Sequence, residues 1–207
     1  VCLGRCGSLL KVIGRVLPMA SAPLDIEGTF RTSEGIEVVR GQAEVATAHG
    51  KLESLRIIPH DPPARHEALA AIAEADWITM GPGSWFSSVL PHLLVPMQQK
   101  ALTESHAKKI IVLNLDATPE LQGNEFAGYS PEEHLGLISE YAPGLRSDFV
   151  LADSSVVNNE SSLVRQVEKM GGKLLVADLR QERGSVHHDE NKLALHFGHI
   201  MTNSLVG

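Results

Sequence analysis

Apolar and polar residues alternate in the first part of the chain, between residues 24 and 58. The alternating runs are residues 24–30, 42–47 and 52–58, with glycines between them. Alternation with a period of two places one face of a strand against the interior and the other face in solvent. This pattern predicts three strands of a half-buried antiparallel β meander.

From residue 64 onward, short apolar runs alternate with segments of helical periodicity. Strands that are apolar throughout and separated by helices are typical of a parallel sheet covered on both faces. We therefore predict an α/β fold in one domain of 207 residues, with an antiparallel β insertion at 24–58 and an α/β core at 64–207. The predicted strands are 77–80, 109–114, 148–152 and 173–177, and the predicted helices are 64–75, 84–90, 97–104, 130–141, 161–170 and 189–200, after a helix ending near residues 9–13.

The start of the helix at 130–141 has a specific sequence signature. Ser130 is predicted to be the N-cap, and Pro131 takes the first helical position, where its missing N–H and fixed φ are tolerated. Glu133 stands three residues after Ser130 and is predicted to complete a capping box with it. The helix should therefore begin at Pro131.

Charge and composition exclude several classes of function. The chain has 18 Lys and Arg against 25 Asp and Glu, a net charge of −7, so it offers no basic surface to nucleic acid or an anionic membrane. The uncharged stretch 77–99 contains Gly-Pro-Gly and two further prolines, which would break a membrane-spanning helix. Cys2 and Cys6 are the only cysteines and are interpreted as reduced cytosolic thiols. We expect a soluble cytoplasmic protein.

A glycine turn follows the predicted strand 77–80 and leads into a helix. Gly81 and Gly83 have no Cβ and let the backbone approach a ligand closely, while the helix start supplies N–H groups and a positive dipole end. Ser84 is suited to cap the helix or to donate to a phosphate, and Ser88 lies one turn further on. The segment predicts a phosphate or diphosphate cradle, with a ligand-free tight turn as the alternative. It lacks the Lys of a Walker loop, which favours holding a nucleotide over cleaving it.

A second candidate region lies after the predicted strand 109–114. Asn114 ends that strand and is predicted to hydrogen-bond a base or sugar. The polar stretch 116–129 is long for a connection in an α/β protein and lies at the same carboxyl edge of the sheet as the glycine turn. It is either part of a ligand site or a surface loop.

Two groups of histidines, His187-His188 and the pair His196 and His199, are of a residue type that binds metals. A pair spaced i, i+3 on a helix is more typical of a solvated face, and no other strong ligand is fixed nearby in the sequence. We therefore expect no metal site. No acid–base pair is identifiable, so no catalytic residue is assigned. Trp85 is interpreted as a core contact rather than a base-stacking platform.

Residues 81–96 resemble the signature of the CofD-like superfamily, most closely its gluconeogenesis-factor (YvcK-type) branch in the actinobacterial form. Residues 14–19, 61–64, 109–114 and 128–134 fit the same branch, and the resemblance extends over essentially all 207 residues. It implies a Rossmann-like parallel sheet with helices on both faces. It also implies a regulatory protein that binds a UDP-sugar, notably UDP-N-acetylglucosamine, without a cofactor, influences carbon metabolism and cell shape, and forms a homodimer.

The resemblance assigns site residues and reveals departures. The family's phosphate-side loop corresponds to Gly81, Pro82, Gly83, Ser84 and Ser88, and its strand-end Asn to Asn114. The Arg implicated in UDP-sugar binding is replaced by His187, a weaker and pH-dependent phosphate partner. The family's Gly-Gly-Gly-Thr-Gly and Asp-Asp-Gly-Gly-Ser segments do not occur in this sequence, so we expect the C-terminal portion of the family fold.

Three functional hypotheses follow. The first is a non-catalytic UDP-sugar-binding regulator. The second is an enzyme of the superfamily's other branch, a 2-phospho-L-lactate transferase acting on a deazaflavin in coenzyme F420 biosynthesis, which would need a metal-binding carboxylate near the phosphates. The third is a remnant that folds poorly and binds nothing. A preference for uracil or guanine nucleotides would separate the first two.

Overall fold

The computed structural model describes residues 14–115 and 129–203, and its strands form two sheets. The first sheet is antiparallel with the order β2-β1-β3, and the second is parallel with the order β4-β5-β6-β7. The α/β prediction is confirmed, and the predicted helix end at 9–13 lies outside the described residues. The strands are β1 (Asp25–Thr32), β2 (Gly35–Arg40), β3 (Lys51–Ile58), β4 (Trp77–Met80), β5 (Lys108–Val112), β6 (Phe149–Asp153) and β7 (Lys173–Ala177).

The antiparallel sheet differs from the prediction in one strand. Residues 42–47, predicted as a strand, contain the short helix α1 (Gln42–Ala46), and the strand β2 was not predicted. The apolar residues Ile36 and Val38 of β2 are exposed, so this edge strand lacks the half-buried pattern that identifies a strand. In α1 only Val45 is buried, and good helix formers surround it, so propensity outweighs a short alternation.

Helices cover the two faces of the parallel sheet unequally. Because β4 to β7 are neighbours in chain order, right-handed crossovers place the connecting helices on one face. The major core lies on that face, and Ile200, in the last described helix, packs on Ile110 and Val112 on the other face. The helices are α2 (His66–Ala73), a π-helical turn (Trp85–Val89), α3 (Leu90–Leu94), α4 (Pro96–Glu104), α5 (Pro131–Tyr141), α6 (Glu160–Lys169) and α7 (Glu190–Asn203).

The structure also tests the burial predicted for the strands and the cap predicted for a helix. The strand predicted at 77–80 is confirmed as β4, but it lies at the sheet edge and only Met80 among its four residues is buried, so the expected cover on both faces is wrong for this strand. The capping box of α5 is confirmed, since Ser130 Oγ accepts from the Glu133 N–H at 3.2 Å and Glu133 Oε2 accepts from the Ser130 N–H at 2.9 Å.

Across the described ranges, no helix has the length and apolar character needed to cross a membrane.

Two tyrosines attach the antiparallel sheet to the α/β core. The Tyr129 hydroxyl accepts a hydrogen bond from the Leu52 N–H at 2.6 Å, and the Tyr141 hydroxyl accepts one from the Leu55 N–H at 2.8 Å. Both N–H groups belong to β3, an edge strand whose outer backbone groups would otherwise lack partners. The insertion is therefore fixed beside α5, which begins just after Tyr129 and ends at Tyr141.

Candidate functional site

The glycine turn begins at Gly81, directly after β4. Gly81 has a φ of +76°, and a Cβ at this position would lie 2.6 Å from the Val112 carbonyl oxygen. Both the positive φ and the close carbonyl oxygen disfavour a side chain at this position. Gly83 is different, because its φ is ordinary and a Cβ would meet only Ser88 Cβ at 3.7 Å. Gly81 is thus required by the backbone, whereas the fold itself would accept a side chain at Gly83.

Asn114 holds the glycine turn in place. Its Oδ1 accepts the Gly83 N–H at 2.9 Å, and its Nδ2 donates to the Gly83 carbonyl at 2.6 Å. The two residues meet because β4 and β5 are neighbouring parallel strands that end at the same edge. Asn114 therefore acts as a positioning residue for the turn. Its predicted contact with a base or sugar would compete with these two hydrogen bonds.

Ser84 caps the helical segment that follows the turn. Its Oγ accepts from the Ser87 N–H at 3.1 Å and also contacts the buried Ser87 hydroxyl. The N–H groups at the start of a helix, here at Trp85 and Phe86, have no intrahelical acceptor. The predicted cradle thus keeps its helix-start donors, whereas the Gly83 N–H is already used by Asn114.

Ser88 lies on the accessible side of the turn. It is exposed, stands next to Gly83, and lines an apolar cavity of about 230 Å³ that also borders Gly81 and His92. Pro82 is exposed at the tip of the turn and follows a cis peptide bond. The structure therefore brings together five residues that were matched to the phosphate-side loop and Asn114 beside them.

A hairpin-like connection between β7 and α7 forms the other end of the carboxyl edge. We call residues 178–189 the histidine hairpin. Arg180 and His188 form an antiparallel bridge, the Asp189 N–H donates to the Leu179 carbonyl at 2.7 Å, and the Gln181 N–H donates to a carbonyl across the hairpin at 3.1 Å. The chain is thus turned back toward the middle of the sheet.

Asp153, the last residue of β6, anchors the histidine hairpin. Its carboxylate is buried and accepts the Leu179 N–H at 2.6 Å and the Ser155 N–H at 2.9 Å, and Arg180 Nε lies 3.4 Å from it. Burial alone would raise the pKa of Asp153, but the hydrogen bonds from Ser155 and Leu179 and the charge of Arg180 outweigh it and lower the pKa. The anchor is therefore an ionised, desolvated carboxylate.

The hairpin brings His188 to the end of β5. Its imidazole interacts with the Leu113 carbonyl and faces the Asp153 carboxylate, and burial is the main cause that lowers its pKa. Its Nε2 is buried and, among the residues described, has no hydrogen-bond partner. His187, the residue predicted to bind a phosphate, is exposed, and its N–H donates to Ser185 Oγ at 3.0 Å. The inward-facing histidine is thus the neighbour of the predicted one.

Sequence reasoning did not assign Asp153, Arg180 or His188 to this edge. An Asp at the carboxyl end of a buried strand is a signal for the first, but nothing local joins it to a hairpin about 30 residues later. Trp85 was interpreted correctly, since it is buried and stacks on His134 at 5.1 Å between ring centroids. The stretch 116–128 and both cysteines lie outside the described residues.

The remaining histidine pair does not join this site. His196 and His199 line a separate cleft of about 710 Å³ between α7 and the sheet, together with Lys108 and Lys173 from the strand starts. That cleft lies on the face opposite the major core. Within residues 14–115 and 129–203 no group of three His, Cys, Asp or Glu side chains is arranged to hold a metal ion.

Known proteins resemble this chain in sequence and in structure. Residues 4–203 match the family described as 2-phospho-L-lactate transferase CofD. A Mycobacterium tuberculosis protein named "Putative gluconeogenesis factor" is 39% identical over 199 residues, covering 93% of this chain and 57% of the relative. One from Mycobacterium leprae is 38% identical over 200 residues, covering 93% and 54%. The chain thus spans a little more than half the length of these relatives.

A crystal structure of a UPF0052 family member from Bacillus halodurans has the same fold. It superposes with a TM-score of 0.73 at 26% sequence identity, covering 93% of this chain and 64% of that one. The parallel sheet and the antiparallel insertion therefore recur in a solved relative. Taken with the match over residues 4–203, this places the chain in the CofD family, among relatives named gluconeogenesis factors.

Proposed function

We propose that this chain carries the diphosphate side of a nucleotide-sugar site and serves as a UDP-sugar-binding regulator without chemistry of its own. The observation that carries the proposal is the glycine turn, which Asn114 clamps at Gly83 and which leads directly into a helix start. Such a turn at the carboxyl end of a parallel strand offers backbone donors to an anion.

The distribution of groups around the turn favours binding over cleavage. The donors near Gly83 are backbone N–H groups and the hydroxyls of Ser84 and Ser88, which bind phosphate without activating it. The buried carboxylate Asp153 is already used by the histidine hairpin. In this proposal the ligand is a UDP-sugar such as UDP-N-acetylglucosamine, and the protein is a cytoplasmic homodimer. It would influence carbon metabolism and cell shape, and the names of its relatives support the role in carbon metabolism.

Calorimetric titration with UDP-N-acetylglucosamine tests this proposal, with guanosine diphosphate as the second ligand. The matched variants are Gly83→Asp, at a position where an added Cβ meets only Ser88 Cβ at 3.7 Å, and Gly136→Ala, at a helical position with nothing within 4 Å of an added Cβ. We expect saturable binding of the UDP-sugar by the wild type and by Gly136→Ala. Gly83→Asp should lose it, since its carboxylate repels the diphosphate.

The two ligands and a stability control distinguish the competing hypotheses. Thermal unfolding should show that Gly83→Asp remains folded, so that lost binding reports on the site. Saturable binding of guanosine diphosphate alone would favour the transferase hypothesis. No binding of either ligand by the folded wild-type chain would overturn the proposal for this chain.

A further inference from the structure

His188 Nε2 shares an uncommon property with Trp85 Nε1 and Gln98 Oε1. It is buried and has no hydrogen-bond partner among the described residues. Buried polar side-chain atoms are nearly always hydrogen-bonded, and each exception in a native protein calls for an explanation. Ligand contact is one explanation, because a binding residue must keep a polar atom available.

The neighbours of the ring determine what Nε2 can do. The imidazole interacts with the Leu113 carbonyl, which accepts hydrogen bonds only. The neutral tautomer that satisfies this carbonyl carries its proton on the ring nitrogen beside it, and with Nε2 unpartnered among the described residues we assign that nitrogen as Nδ1. Nε2 of the neutral ring is then a lone-pair acceptor. It is matched by a donor such as a hydroxyl or an N–H, and not by a phosphate oxygen.

The position of the ring connects it to the glycine turn. Leu113 is followed by Asn114, whose amide makes both hydrogen bonds to Gly83. His188 is therefore attached to the same strand end that clamps the turn. The charged groups that face the ring are Asp153 from β6 and Arg180 across the hairpin bridge. They carry opposite charges, and Asp153 acts on the ring more strongly than Arg180 does, but burial outweighs both and lowers the pKa of His188.

We propose that His188 is a ligand-contacting residue of the nucleotide-sugar site, accepting a hydrogen bond at Nε2 from a hydroxyl or N–H group of the bound sugar or base. The inference rests on the proposed function and deepens it. It assigns phosphate recognition to the glycine turn and recognition of a neutral donor group to His188. Since Nε2 is buried without ligand, the groups around it must move when the contact forms.

A matched pair of substitutions separates the two ring nitrogens. In His188→Asn the short amide nitrogen replaces Nδ1 and keeps the Leu113 contact, while Nε2 is lost. In His188→Gln the longer amide reaches the position of Nε2. We expect His188→Asn to weaken binding of UDP-N-acetylglucosamine about tenfold, the size of one good hydrogen bond, and His188→Gln to stay within about threefold of the wild type. His196→Asn, in the separate cleft, should bind as the wild type does.

Imidazole nitrogen NMR of the wild-type chain provides a readout that needs no variant to fold. The Nε2 resonance of His188 should move upfield when UDP-N-acetylglucosamine is added, since it accepts a hydrogen bond. A wild-type chain that binds the ligand with an unchanged His188 resonance, or an His188→Asn variant that binds normally, would overturn this inference and leave the proposed function intact. A wild-type chain that binds no ligand would overturn both.

Discussion

The glycine turn and the histidine hairpin lie at the same edge of the parallel sheet but are held there by different means. The turn is formed by adjacent residues, and a neutral amide from the next strand fixes it with two hydrogen bonds to Gly83. The hairpin is fixed by the ionised, buried Asp153 of another strand and by Arg180. A neutral clamp and a desolvated ion pair differ in strength and in response to pH, so the two regions can be disrupted separately.

Removing the hairpin anchor should have the largest effect. Asp153→Ala leaves Arg180 and the Leu179 N–H without their buried partner, and breaking a buried ion pair in this way costs about 3–5 kcal/mol. Urea unfolding should show a loss of stability of this size. The control is Asp178→Ala, which breaks an exposed pair with Lys192 and should cost less than about 1 kcal/mol. Equal losses in the two variants would show that Asp153 does not anchor the hairpin.

Acid should weaken the packing beside the glycine turn at a higher pH than it weakens the Asp153 anchor of the hairpin. His134 stacks between Trp85 and Tyr129, and burial lowers its pKa to about 4. The unfolded chain therefore binds a proton below the ordinary value of 6.5 that the folded chain does not bind. Stability is complete above that value and should fall by on the order of 3 kcal/mol as the pH drops toward about 4.

The hairpin anchor responds in a lower pH window. The folded pKa of Asp153 lies below its ordinary value of 3.8, so its contribution is present above that value and is lost as the pH falls through the folded pKa. Urea unfolding of the wild type and His134→Phe between pH 7 and pH 4 separates the two windows. The variant keeps an aromatic ring and should lose the part of the pH dependence that His134 contributes, while burial of His92 and His188, which lowers the pKa of both, accounts for a remainder. An unchanged slope would contradict the assignment to His134.

Removing the neutral clamp should have an intermediate effect. Asn114→Ala deletes both hydrogen bonds to Gly83, which together contribute about 1–3 kcal/mol. Asn114→Asp keeps an acceptor for the Gly83 N–H but places a second oxygen against the Gly83 carbonyl, so it should not restore stability fully. Thermal unfolding of both variants measures this. A wild-type melting temperature for Asn114→Ala would contradict the proposed clamp.

The smallest predicted effect separates the two glycines of the turn. Gly81→Ala places a side chain in the left-handed region and against the Val112 carbonyl, at a cost of about 1–2 kcal/mol or more. Gly83→Ala meets only an ordinary contact with Ser88 and should leave stability within about 0.5 kcal/mol. Denaturant unfolding of the two variants should therefore give different midpoints. Equal midpoints would mean that the backbone imposes the same demand at both positions.

The difference between short-range and long-range contacts explains which parts of the fold and of the site could be predicted from the sequence. The capping box at Ser130, the strand β7 and the glycine turn depend on short-range chemistry, and each was predicted from adjacent residues. Residues 42–47 were mispredicted because six residues are too few to separate a period of two from helix propensity. The contacts of Asp153 with Leu179 and of His188 with Leu113 join residues distant in the chain, and no local pattern encodes such pairs.

Amide chemical-shift mapping with UDP-N-acetylglucosamine tests the central claim most directly, because it locates the ligand without a substitution. We predict that saturating ligand shifts the resonances of the glycine turn at Gly83, Ser84 and Ser88, with further shifts at Asn114 and His188. The amides of His196 and His199 in the other cleft should remain unchanged. Shifts concentrated in that cleft, or no shifts at saturating ligand, would contradict the assignment of the nucleotide-sugar site to the carboxyl edge.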